Sequence, residues 1–156
     1  MAIGINDIGQ AVGTSTTAAN GFEQAVIWNG TNPTVLNSLG GPSWASSINN
    51  SGQVVGTSYT AGNSQRRGVI WDGTTVIDIN TLLASGPSGL VIASLIGINS
   101  GGQIVGYGFD ILGNAVAVLL NPVSQTPLPA ALPLLASGLG VLWIVVRGGS
   151  RTGRTS

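Results

Sequence analysis

Ten side chains of this 156-residue protein carry a formal charge, and acid–base or ion-pair chemistry must be drawn from them alone. Five are carboxylates (Asp7, Glu23, Asp72, Asp78, Asp110) and five are guanidiniums (Arg66, Arg67, Arg147, Arg151, Arg154). Histidine, cysteine and lysine are absent. That removes the usual general base near neutral pH, the Ser-His and Cys-His nucleophile pairs, the Schiff-base lysine and the P-loop lysine. It also removes any thiolate zinc site or disulfide framework. What remains is carboxylate chemistry. Asp72 and Asp78 could be imagined as a glycosidase pair, but Asp72 falls in an expected hairpin turn. The pairs Asn6-Asp7, Asn49-Asn50 and Asn99-Ser100 could offer oxygens to calcium. Only Asp7 among them is a carboxylate, whereas calcium gathers about six to eight oxygens with several charges, so these pairs read as turn residues. Trp28, Trp44 and Trp71 could stack on sugars, although their recurring positions also fit packing between layers. Asn29-Gly30-Thr31 and Asn49-Asn50-Ser51 match the glycosylation acceptor pattern, which Asn-Gly turns also produce by chance. Arg66-Arg67 follows a polar loop from Thr60 to Gln65 and reads as a solvated tip. No catalytic, cofactor-binding or metal-binding set emerges, and the expectation is a protein that is not an enzyme.

The charges are distributed unevenly. Arg147, Arg151 and Arg154 lie at the C-terminal end, which leaves the preceding body with a net charge of −3 and no basic patch to hold a phosphate backbone. Nucleic acid is not an expected partner. Between Leu128 and Val146 run 19 residues without a charge, preceded by Thr126-Pro127-Leu128-Pro129. About 20 apolar residues span the ~30 Å core of a bilayer, so the segment predicts a transmembrane helix over 130–146. Residues 123–129 are then a linker, and 147–156 a basic tail on the cytoplasmic side. Pro129 and Pro133 suit the first turn of such a helix, and Ala136 with Gly140 forms a small-xxx-small pair on it.

Residues 1–122 are organised by repetition. Ile5-Asn6-Asp7-Ile8-Gly9-Gln10-Ala11-Val12-Gly13 returns 43 residues later as Ile48 to Gly56, and after a further 50 as Ile98 to Gly106. Ala25-Val26-Ile27-Trp28-Asn29-Gly30 returns as Gly68-Val69-Ile70-Trp71-Asp72-Gly73, with a worn third copy from Ala115 to Pro122. The repeats divide at about 1–41, 42–92 and 93–122. Asn-x-x-Gly marks a turn, and Asn29-Gly30 and Asp72-Gly73 predict two-residue type I′ hairpins. Val-Ile-Trp is a continuous apolar run, as expected of a strand covered on both faces. Units of ~40–50 residues with about four strands match a propeller blade. The predicted fold is all-β: tandem four-stranded antiparallel repeats, propeller-blade-like and incomplete in number, followed by one terminal helix.

These residues resemble a family. Ile-Asn, Gly-Gln, Val-Gly, Ala-Val-Ile-Trp and then Leu36-Asn37-Ser38-Leu39-Gly40-Gly41 are similar to the HAF repeats of bacterial extracellular proteins. The segment from Thr126 resembles a PEP-CTERM sorting signal, in which a Pro-Glu-Pro-like motif precedes a membrane helix and an arginine-rich tail. Pro127 and Pro129 match the prolines, and Leu128 stands at the usual glutamate position, as in a Pro-Leu-Pro variant. The resemblance implies a non-enzymatic surface protein, anchored transiently and then processed by an exosortase-type membrane enzyme. The alternative is a permanently anchored β-repeat module that binds polysaccharide or protein. Met1 and Ala2 lead directly into the first repeat with no signal-peptide pattern. An exported protein needs such a signal, so the reading expects a longer reading frame with further repeats.

Overall fold

The computed structural model describes residues 1–16, 21–85, 87–122 and 142–146, and in them the protein is all-β apart from two short 3-10 turns, Ala61–Asn63 and Ile79–Thr81. Strands β1 (Ala2–Ile5), β2 (Gln10–Thr16), β3 (Glu23–Asn29) and β4 (Asn32–Val35) form a first antiparallel sheet in chain order. Strands β5 (Gly40–Ile48), β6 (Val54–Thr60), β7 (Arg66–Asp72) and β8 (Thr75–Asp78) form the second in the same order. The third contains β10 (Val91–Ile98), β11 (Ile104–Phe109), β12 (Ala115–Pro122) and β13 (Leu142–Val146), with β9 (Leu83–Ser85) parallel to β13 at its edge. The expected antiparallel β repeats are present.

Neighbouring side chains of a strand point to opposite faces, and this alternation explains how one sheet can hold two cores. In the middle sheet Val54, Val69 and Trp71 face the first sheet, where they meet Val12, Ala25 and Leu36. Val55 and Ile70 face the third sheet, where they meet Ile92, Leu95, Ile104, Val118 and Leu120. The continuous apolar run Val69-Ile70-Trp71 therefore has no solvent face. Strand β5 lies across β1–β3, and β10 across β5–β7, so the sheets are layered in sequence order.

Each first hairpin contains a bulge at the same place. Ala2, Ala45 and Leu95 sit beside the register shift and pair with Gly13, Gly56 and Gly106. A Cβ on Gly56 would collide with the carbonyl oxygen of Trp44, and one on Gly106 with that of Ser94. The glycine of Val-Gly is thus set by a bulged neighbour rather than by a turn.

One expectation needs correction. The hairpin pairs are Asn29 with Asn32 and Asp72 with Thr75, so the loops are Gly30-Thr31 and Gly73-Thr74. Only the glycines take positive φ (63° and 58°), the glycine-first pattern of a type II′ turn rather than type I′. Asn29 and Asp72 end strands instead. At the C-terminal end, Leu142–Val146 is a strand antiparallel to β12, and residues 130–141 of the expected helix lie outside the described residues. The physical reason is an open sheet edge: β12 has the place beside it that β4 and β8 fill in the other sheets, and Leu-Trp-Ile-Val-Val is rich in strand-forming residues. Among the described residues no helix is long and apolar enough to cross a membrane.

Candidate functional site

The repeated Asn-x-x-Gly-Gln segment folds into one loop, built three times. Asn49 Oδ1 accepts from the Gln53 amide at 3.0 Å, Asn49 Nδ2 donates to Gln53 Oε1 at 2.9 Å, and the Gly52 amide donates to the Asn49 carbonyl. Asn6 with Gln10 and Asn99 with Gln103 repeat these contacts. Gly9, Gly52 and Gly102 close the loops at positive φ. The loops are linked from sheet to sheet. Asn6 Nδ2 donates to the Asn49 carbonyl at 3.1 Å, and Asn49 Nδ2 to the Asn99 carbonyl at 3.4 Å. Asp7 and Asn50 pair across the same junction, the Asp7 amide donating to Asn50 Oδ1 and Asn50 Nδ2 to Asp7 Oδ2. The asparagine oxygens are occupied by amide donors, and among the described residues no cluster of acidic groups could hold a metal. Asn49 is buried with both amide hydrogens engaged, which leaves no free glycosylation acceptor there.

A fourth loop of this kind joins β11 to β12. Asp110 replaces asparagine: its carboxylate accepts from the Leu112 and Asn114 amides and from Asn114 Nδ2, each at 2.9 Å. The Asn114 side chain first, then the Asn114 amide, holds this exposed carboxyl below its ordinary range. The spacing Asp110-x-x-Gly113-Asn114 carried that signal in the sequence.

The tryptophans divide by position. Trp71 is fully enclosed, and its indole donates to the Asn37 carbonyl at 2.6 Å. Trp28 is half-buried on the outer face of the first sheet. Trp44 is also half-buried, edge-on to Tyr59, with its indole donating to Glu23 at 2.7 Å. The two residues of the suggested carboxylate pair lie at different ends of one hairpin. Asp72 lies at the turn end of the β7–β8 hairpin, whereas Asp78 lies opposite Val69 and caps a 3-10 turn by accepting from the Asn80 amide and side chain.

Arg66 and Arg67 depart from the expected solvated tip. They lie in β7, not at a loop tip. Arg67 Nε is buried without a hydrogen-bond partner, 3.8 Å from Asp78 Oδ2, while Arg67 Nη2 donates to Gln65 Oε1. The Arg66 guanidinium stands 5.4 Å from the centre of the Tyr107 ring, which is edge-on to Phe109. Together with Gln65, Val91, Ala93 and Phe109, the two arginines line a cleft of about 350 Å³ between the second and third sheets. Guanidinium groups beside aromatic and aliphatic walls can take a carboxylate or an acidic sugar.

Pro127, Leu128 and Pro129 of the sorting motif, Arg147, Arg151 and Arg154 of the basic tail, and Ala136 and Gly140 all lie outside the described residues. No protein-family model, curated protein or solved structure matches the chain.

Proposed function

We propose that this chain is a non-enzymatic, propeller-like β-repeat scaffold for the cell surface, delivered by its C-terminal segment. The observation that carries the reading is Trp71. In the middle repeat the indole is enclosed between two sheets and hydrogen-bonded to Asn37, so there the aromatic side chain serves self-packing. The delivery step rests on sequence: Pro127-Leu128-Pro129, the uncharged run to Val146, and Arg147, Arg151 and Arg154. In this reading the apolar run has two destinations. Its last five residues rest on the edge of β12 in water, and the whole run forms a membrane helix during export, with the basic tail on the cytoplasmic side. An exosortase-type enzyme then removes the tail.

The test uses the chain behind an added export signal in a host carrying an exosortase. Intact mass of surface-released protein is expected to show loss of the tail in the parent. Pro127→Ala with Pro129→Ala is expected to leave full-length, membrane-bound protein. If both keep Ser156, the segment is a plain anchor or a sheet strand.

The Arg66–Arg67 cleft favours a second reading, a surface module that binds acidic polysaccharide. Arg66→Gln with Arg67→Gln then abolishes retention on an acidic glycan column without changing retention on a neutral one.

A further inference from the structure

The three sheets are joined by one kind of interface used twice, and its two halves are partly uncovered at the ends of the stack, although Val26, the counterpart of Val69, is 1% exposed. Each sheet has a preceding face and a following face. On the preceding face, Ile48 of the middle sheet is 6% exposed, whereas Ile5 at the same place in the first sheet is 72% exposed. Trp71 and its counterpart Trp28 differ in the same sense. On the following face, Val55 of the middle sheet is 0% exposed, whereas Val105 in the third is 48% exposed. Leu119, paired with Val105 as Ile70 is with Val55, is only half-buried.

The loop ladder is open at the same two places. Asn6 and Asn49 are buried and donate to the next loop's carbonyl, but Asn99 is exposed and, among the described residues, donates only to Gln103. At the other end the Asn6 carbonyl receives the Gly9 amide but, among the described residues, has no counterpart to the Asn6–Asn49 link. The uncovered following face and the uncovered preceding face are therefore the two sides of an interface this chain already makes twice.

We propose that a second copy of this chain covers them, head to tail. The face around Val105 and Leu119 of one copy seats on the face around Ile5 and Trp28 of the other, with Asn99 Nδ2 donating to the Asn6 carbonyl. Such a heterologous contact forms a ring if its rotation closes. Two copies bring together six sheets, within the ~4–8 of closed propellers, so the assembly is a two-chain ring. The proposal stands against the expectation of further repeats in a longer reading frame, which would cover the same two faces within one chain.

The test is sedimentation velocity of the full chain in a mild non-ionic detergent over a concentration series. The parent is expected to reach twice its 15.6 kDa mass. Ile5→Lys and Val105→Lys each put an unpaired charge into both contacts of the ring, and should each weaken association on the order of a hundredfold. Both sites are exposed in the single chain, and unchanged thermal unfolding of the dilute variants checks their folding. Mixing the two variants leaves one intact pair of faces and sets both lysines against each other in the second contact, so an open one-to-one heterodimer, weaker than the parent, should return. A parent that stays monomeric, association insensitive to both substitutions, or folded variants that fail to pair on mixing would each overturn the proposal. Growth beyond the dimer would overturn ring closure.

Discussion

Trp28 and Trp71 share the local sequence Val-Ile-Trp, the same strand of their sheets and the same position before a glycine turn, yet one is half-buried and the other sealed. The difference is the neighbouring sheet. Trp71 has the first sheet over it, and Trp28 has nothing equivalent among the described residues. In a layered repeat, burial belongs to the junction between units and not to the unit, because a single sheet cannot cover its own apolar faces. The middle and end sheets can therefore be compared position by position.

The largest expected difference is at the tryptophans. Trp71→Ala opens a large cavity and leaves the Asn37 carbonyl without its indole donor, at a cost of about 3–5 kcal/mol. Trp28→Ala, half-exposed, should cost less than about 2 kcal/mol in the dilute chain. Chemical denaturation of each variant checks this, and equal losses would break the comparison. Gly56→Ala serves as a control of the opposite kind. The added methyl meets the Trp44 carbonyl within the same sheet, as that of Gly106→Ala meets Ser94. Both should lose about 1–3 kcal/mol irrespective of which sheet they occupy, and unequal midpoints would mean that the stack also governs the bulges.

The asparagines come next. Asn49→Ala removes a buried side chain whose amide hydrogens and carbonyl all have partners, and should cost about 1–3 kcal/mol. Asn99→Ala keeps its loop open to water and should cost about 1 kcal/mol or less by thermal unfolding. The smallest effect separates Asp110 from the three asparagines. Its carboxyl titrates below the ordinary range in the folded protein, so its loop contacts contribute at pH values above the unfolded carboxylate pKa of ~3.9. They are lost as the pH falls through the lower, folded pKa. Hydrogen exchange of the Leu112 and Asn114 amides should rise in that acid window, relative to the Asn99 loop, and Asp110→Asn should abolish the rise.

The sheets and their order were legible because the repeats impose two independent signals: the 43-residue offset that carries Val26-Ile27-Trp28 onto Val69-Ile70-Trp71, and the recurring Asn-x-x-Gly-Gln. Continuous apolar runs also announced burial on both faces. Arg66 and Arg67 escaped the reading because their role depends on Tyr107 and Asp78, one of them in the next sheet, which no local pattern connects. The strand at Leu142–Val146 was hidden for another reason. Its apolar residues satisfy a membrane helix and a vacant sheet edge equally, and only the third repeat's missing fourth strand points to the edge. The turn register lies one residue beyond the Asn-Gly expectation because Asn-Gly and Gly-Thr overlap in the same tripeptide, and only pairing across the hairpin selects between them.

The claim that the stack, and not the repeat, decides burial is tested most directly by acrylamide quenching of two single-tryptophan variants. One keeps only Trp71 and the other only Trp28, with phenylalanine at the remaining tryptophan positions, both diluted until monomeric. The account predicts blue-shifted, weakly quenched emission from Trp71 and readily quenched emission from Trp28. Equal quenching of the two folded variants would contradict it.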